Sequence, residues 1–283
     1  MKYVAFLDIL GFKNMIAEMK DHKKAQDFIK NFSNTIYKVF QCFEIDSTVK
    51  IQGYVISDSL ILYSNDISEN SLVNLIKLVE AICREQFIQN GVLIRGGIAK
   101  GYFDKIKATE LQTLKKTLIV GESYVEAYIL EESTKIIGVN LASAVYQDIL
   151  DFNTKIKQGF TNDKSIESKV IKYKNKKKEG YLLKYIDLDF LLEKDNLFRF
   201  VNLAINANWL EHYYNTLSFA LQNERSSKKK KELFIKIVRI IVDNKKKSLN
   251  LFIENAFKDG VEKKFKVYFL KHVSKSLLST ISK

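Results

Sequence analysis

Two aspartates stand where a charged side chain is least expected. Asp8 interrupts the apolar run KYVAFLDIL, and Asp58 interrupts IQGYVISDSLILY. A carboxylate buried without a partner costs several kcal/mol, so each position needs compensation. A divalent cation supplies it, because Mg²⁺ is commonly held by one or two carboxylates together with substrate phosphates. Directly after the first aspartate the chain turns through Gly11 into a helical pattern, whose leading N–H groups have no intrahelical partner and can receive an anion. Taken singly, either aspartate also suits a turn or a cap. Taken together at two strand ends, they form a candidate two-metal site for phosphoryl transfer.

The elements that position them can be read from periodicity. KYVAFLDIL is an apolar strand, and a helical stretch from Phe12 to about Phe43 follows, with apolar residues at Met15, Ile16, Met19, Phe28, Ile29, Phe32, Ile36 and Val39. TVKIQGYVISDSLILYS is β-branched and bounded by turn formers, which predicts two strands joined near Asp58. SLVNLIKLVEAICREQFIQNG has a 3.6-residue period and stops at Gly91. GVLIRGGIAKGYF and TLIVG read as strands, ESYVEAYILEES as a helix, and KIIGVNLASAVY as a strand leading into a helix. Strand alternation puts Tyr54, Ile56 and Asp58 on one face. The order βα, ββ, α, β, β, α, β implies an α/β (α+β) sandwich with a mixed sheet and flanking helices.

The second half has a different texture. Residues 1–150 carry 17 basic and 18 acidic side chains, whereas residues 151–283 carry 29 and 15, so the net charge of +13 comes from the second half. The excess concentrates in KYKNKKKEG (172–180), SSKKKKE (226–232) and NKKKS (244–248). Such runs are ordinarily solvated faces. Arginine, which clamps phosphate and reads guanine, is scarce among them, so a nucleic-acid partner is not expected. Strand texture reappears in EGYLLKYIDLDFLL, and from Asn196 the pattern is helical to the end, which predicts two to four packed helices. The expected division is a catalytic domain over 1–192, with its core motifs in 1–150 and a lysine-rich hairpin at about 165–192, and a helical domain over 193–283.

Composition narrows the function classes. With 46% apolar and 28% charged residues the chain is globular. Proline is absent, which removes polyproline ligands and cis-proline turns. Cys42 and Cys83 cannot make a disulfide framework or a zinc cluster, and both are expected as small buried residues. No segment reaches the roughly 18 uncharged apolar residues that span a bilayer. The apolar N-terminus carries Asp8 and no small-residue cleavage site, so a cytoplasmic protein without membrane insertion is expected. The three histidines give no catalytic cluster: His22 and His272 fall in lysine-rich helical surface, and His212 beside Trp209 reads as a satisfied bundle residue.

FLDILGF (6–12), SDSLIL (57–62), IRGGIAKG (94–101) and VGESYVEAYILEE (120–132) resemble, in order and spacing, the four blocks of the class III adenylate/guanylate cyclase catalytic domain. Within that superfamily their wording is closer to the bacterial pyrimidine cyclases of the Pycsar anti-phage systems. The resemblance implies that Asp8 and Asp58 hold two Mg²⁺ or Mn²⁺ ions with the backbone carbonyl of Ile9. It further implies that Leu10, Gly11 and Phe12 cradle the triphosphate and that Arg95 meets the phosphates. The family's purine-selecting lysine and its partner acid match Tyr54 and Leu118 here, which implies a changed base pocket. Its catalytic asparagine and arginine match Val125 and Ile129. Lys100 and Tyr102 are further candidates for substrate contact, and an exposed strand end accounts for them equally.

The implied activity is conversion of UTP or CTP to the 3′,5′-cyclic monophosphate and pyrophosphate, as an antiviral signal to a separate cyclic-nucleotide-binding effector. The implied assembly is a homodimer with composite sites. Two alternatives stay open. One is a purine cyclase or oligonucleotide synthase of the same fold, and the other is a catalytically silent protein that binds nucleotide or nucleic acid.

Overall fold

The computed structural model describes residues 1–46, 50–106, 118–133, 135–156, 170–175, 178–193 and 195–206, and scattered positions between 212 and 236. The apolar run at the start becomes the central strand of a sheet. β1 (Lys2–Ile9) is buried along nearly its whole length because it is paired on both edges, antiparallel to β3 (Ser59–Tyr63) and to β4 (Ile94–Gly101). The turn after it contains Gly11, whose φ of 79° would cost a residue with a Cβ roughly 1–2 kcal/mol. β2 (Gln52–Ile56) pairs with β3 through a two-residue loop. With β7 (Val139–Leu141), β8 (Val170–Asn175) and β9 (Lys178–Leu183) these form one seven-stranded mixed sheet in the order β2-β3-β1-β4-β7-β9-β8. Only the β4–β7 pairing is parallel. A separate two-stranded ribbon joins β5 (Asp104–Ile106) to β6 (Leu118–Val120).

Alternation along β1 sends Tyr3, Ala5, Leu7 and Ile9 to one face and Val4, Phe6 and Asp8 to the other. The first face is covered by α3 (Glu69–Asn90) and α5 (Ser143–Ile156), and the Tyr3 hydroxyl donates to Asp148 of α5 at 2.7 Å. α2 (His22–Asp46) packs outside α3, where Gln86 donates to the Phe32 carbonyl at 2.7 Å. The second face receives α4 (Glu122–Glu131), which lies against β1 and β4. Its close approach depends on Gly97, where a Cβ would run into the Ala127 carbonyl oxygen and the Leu130 side chain. Phe6 meets Tyr124 and Tyr128 of α4 edge-on, with ring centroids 6.1 and 5.1 Å apart.

Through residue 150 the expected element order holds except that β5 is an additional strand and one helical stretch is split; two further expectations differ as well. The stretch 12–43 is two helices, α1 (Phe12–Glu18) and α2, because Asp21 caps the second: its carboxylate accepts the Lys23 N–H at 2.9 Å. The strand texture of 179–192 stops at Leu183. Asp187 then caps the short helix α6 (Leu188–Leu192), accepting the Phe190 N–H at 2.8 Å, so that Leu188, Phe190 and Leu191 are all buried. Cys83 is buried as expected, but Cys42 is exposed, since it lies on the outer side of α2.

The chain divides into two compact units, residues 1–134 with 138–185, and residues 135–137 with 186–283. In the second unit α7 (Asn196–Asn206) follows α6, and Phe200 packs on Tyr213 at 5.1 Å. His212 is buried there, with its carbonyl accepting the Thr216 hydroxyl at 2.7 Å. His272, the run at 244–248 and the helical patterns expected beyond 236 lie outside the described residues. Among the described residues no helix is long and apolar enough to cross a membrane.

Candidate active site

Asp8 sits at the end of the central strand, directly between Ser59 on β3 and Arg95 on β4. The Ser59 hydroxyl donates to the Asp8 carboxylate at 2.9 Å. Burial pushes the Asp8 carboxyl above its ordinary pKa; the Ser59 bond opposes this, the negative charge of Asp58 adds to it, and Arg95 opposes it. The electrostatic influence of Asp58 follows from the topology. Ser57 and Asp58 form the tip of the β2–β3 hairpin, where Ser57 takes φ 56°, the positive value such tight loops require. The tip therefore lies beside the end of β1.

Arg95 forms a close ion pair with Glu131, the last residue of α4. Their side chains are 18% and 5% exposed, so this pair is largely desolvated. Burial raises the Glu131 carboxyl, the Arg95 charge lowers it, and Asp8 raises it again. The cluster at this end of the sheet is thus Asp8, Asp58, Arg95 and Glu131. Sequence reasoning misses Glu131, because an acid at a helix end ordinarily faces water. The signal available was its spacing of four from Ala127, which puts it on the same face of the helix.

Tyr54 lies opposite Ile61 on β3, and Ile61 lies opposite Phe6 on β1, so Tyr54 shares a sheet face with Asp8. It is two strands across and two residues along from the Ser59 level, about 12 Å between Cα atoms by strand geometry. Its ring stacks on Tyr63 with centroids 6.0 Å apart. The ammonium of Lys105, on β5, stands 5.1 Å from the Tyr54 ring centroid and 5.3 Å from that of Tyr63. Leu118 is 43% exposed on β6, paired in register with Ile106 next to Lys105.

The other expected residues separate into two groups. Ile9 and Leu10 are buried beside Asp8, and the Leu10 N–H donates to the Leu93 carbonyl at 2.9 Å, which fixes the turn into Gly11. Phe12 opens α1, and the Gly11 carbonyl accepts from Asn14 and Met15, so the N–H groups of Phe12 and Lys13 precede the first intrahelical bonds. Val125 and Ile129 are exposed on α4. Lys100 is not at this site: it points to the opposite sheet face and pairs with Asp148 at 2.8 Å. Tyr102 is exposed, with its hydroxyl directed at Asp104.

No group of three or more His, Cys, Asp or Glu suited to a metal occurs among the described residues. What the site offers is two carboxylates whose charges oppose each other at the end of a buried strand, a hard oxygen set of the kind that suits Mg²⁺ or Mn²⁺ completed by substrate oxygens.

No protein-family model and no curated protein sequence matches the chain. Among solved structures it is similar to the dimeric guanylyl cyclase domain of the RhoGC fusion protein from the aquatic fungus Blastocladiella emersonii, at 15% identity over 64% of this chain and 91% of that one, with a TM-score of 0.46. It is similar to a bacterial light-regulated adenylyl cyclase at 11% identity, over 70% of this chain and 54% of that one, TM-score 0.44. A class III adenylyl cyclase-like ATP-binding protein from Pseudomonas aeruginosa is similar at 15% identity, over 52% of this chain and 34% of that one, TM-score 0.36.

Proposed function

We propose that this chain is a nucleotidyl cyclase that converts a pyrimidine nucleoside triphosphate, UTP or CTP, to its 3′,5′-cyclic monophosphate and pyrophosphate. The observation that carries this reading is the meeting of the Asp8 strand end, the Asp58 hairpin tip and Arg95 at one corner of the sheet. The reaction is intramolecular. The ribose 3′-oxygen attacks the α-phosphorus and pyrophosphate departs, so no protein nucleophile is needed. Asp8 and Asp58, with the Ile9 carbonyl, would hold Mg²⁺ or Mn²⁺. Bound there, two such ions supply Lewis-acid stabilisation of the attacking and leaving oxygens. Arg95 neutralises charge developing toward the leaving group, held in place by Glu131. Leu10, Gly11 and Phe12 present the turn that receives the triphosphate. Tyr54 and Leu118 form the base pocket, where a phenol stacks on a base and hydrogen-bonds to it.

The chain acts as a homodimer in this reading, with aspartates from one subunit and Tyr54 from its partner completing each site. The product serves as an antiviral signal to a separate effector in the cytoplasm, and residues 193–283 support the dimer or sense the trigger.

Incubation of the pure protein with each of the four nucleoside triphosphates and Mn²⁺ tests the proposal. Cyclic UMP or CMP with equimolar pyrophosphate is expected, and loss of both products in Asp58→Ala. Dominant cAMP or cGMP would overturn the base assignment. No product from any nucleotide, with a salt-sensitive nucleic-acid affinity that survives Asp58→Ala, would replace the enzyme with a binding protein.

A further inference from the structure

Lys105 belongs to a three-residue strand with no pattern of its own, yet its ammonium stands 5.1 Å from the Tyr54 ring centroid. The same ammonium stands 5.3 Å from the Tyr63 ring centroid, so it faces both rings of the stack. The Tyr63 hydroxyl donates to the Gln52 side-chain oxygen at 2.7 Å, which fixes the phenol. Tyr63 is itself buried and wedged against Phe103, with centroids 4.7 Å apart, which fixes one wall of this platform. The two stacked rings attract the ammonium and favour its position beside Tyr54.

An ammonium has three donors and no acceptor. Held against the Tyr54 and Tyr63 rings, it directs donors to acceptors that lie beside Tyr54. The Tyr54–Lys105 pair therefore offers donors to whatever lies over it. A base edge with two carbonyl oxygens, as in uracil, answers both donors. The adenine edge places an amino donor beside a single ring acceptor and opposes them.

Resting on the cyclase reading above, we infer that Lys105 is the specificity-determining residue of the base pocket, donating to a carbonyl oxygen of the base and selecting a uridine nucleotide over an adenine nucleotide. A cation from β5 thereby occupies the neighbourhood of the β2 position where the resembled family carries its purine-selecting lysine, with the opposite preference.

The test uses the full-length protein with Mn²⁺ and the α,β-methylene analogues of UTP and ATP, with binding followed by calorimetry. The wild-type protein is expected to prefer the UTP analogue. Lys105→Met, which keeps the aliphatic stem, is expected to weaken it by about 10- to 100-fold, the loss carried by one hydrogen bond from a charged donor. The ATP analogue and the melting temperature should shift little, a pattern that a merely structural lysine would not produce. Lys105→Gln, a shorter neutral donor, should retain part of the preference. Equal weakening of both analogues, no change in either, or a wild-type preference for the ATP analogue overturns the assignment of Lys105 while leaving a nucleotide-binding site. Failure of the wild-type protein to bind any nucleoside triphosphate overturns the cyclase reading as well.

Discussion

Glu131 and Arg95 illustrate how a single pair decides the character of this site. Both are drawn out of water where α4 meets β4, and a desolvated pair is costly to break, because the surviving charge is left uncompensated. Glu131→Ala is expected to lower unfolding stability by about 3 kcal/mol in urea titrations. The double variant Glu131→Leu with Arg95→Met should recover most of that loss, since two apolar side chains of similar volume leave no orphan charge. Its catalytic rate should not recover, which separates the stabilising role of the pair from the chemical role proposed for Arg95. Asp8 and Asp58 were legible in the sequence because a charge in an apolar strand breaks a pattern. Glu131 breaks none, and only packing turns it inward. Lys100 lies an odd number of residues from Arg95 on the same strand, so alternation by itself sends the two to opposite faces.

At the level of elements, the contact between α4 and β4 positions both ends of the site. It carries Glu131 to Arg95, and the adjoining contact of α4 with β1 sets Phe6 against Tyr124 and Tyr128. Gly97 permits it by having no side chain, so Gly97→Val should push α4 off the sheet and cost about 3 kcal/mol, read as a lower melting temperature with loss of near-ultraviolet aromatic signal. Gly91 offers the contrast. It ends α3 with φ 64° and open space around its Cα, so Gly91→Ala meets only backbone strain, about 1 kcal/mol in the same measurement. The helix, its glycine stop and the β2–β3 hairpin were predictable from local pattern. The ribbon of β5 and β6 was only half so: TLIVG announces a strand, whereas the three residues of β5 are too few to show alternation. Lys105 therefore had no visible place before the strands were paired.

For the molecule as a whole, the side of the sheet that bears Asp8 and α4 also exposes apolar side chains. Ile56 is 50% exposed on β2, and Val125 and Ile129 are 53% and 61% exposed on α4. Apolar groups gathered on one side mark a surface for association, and the homodimer proposed above would cover them. Ile129→Glu is expected to shift the protein to monomer in sedimentation experiments and to abolish cyclization without unfolding the chain. Mixing Asp58→Ala with Tyr54→Ala, each inactive alone, should restore roughly a quarter of the wild-type rate, since half of the dimers are then mixed and each mixed dimer carries one intact site. Absence of restoration would put both residues in the same subunit's site and overturn the composite arrangement.

Apart from β5 and the break between α1 and α2, the linear sequence by itself determined the alternation of strands and helices through residue 150, the hairpin with Asp58 at its tip, the turn at Gly11 and the basic bias of the second half. These depend on side-chain periodicity and on backbone preferences that act over a few residues. The tertiary structure alone decided that Glu131 meets Arg95, that Lys100 leaves for Asp148, and that Lys105 stands over Tyr54 and Tyr63. The physical reason is that each of these depends on which strand lies beside which and on how closely a helix can approach a glycine. Neither is encoded in the spacing of residues along one segment.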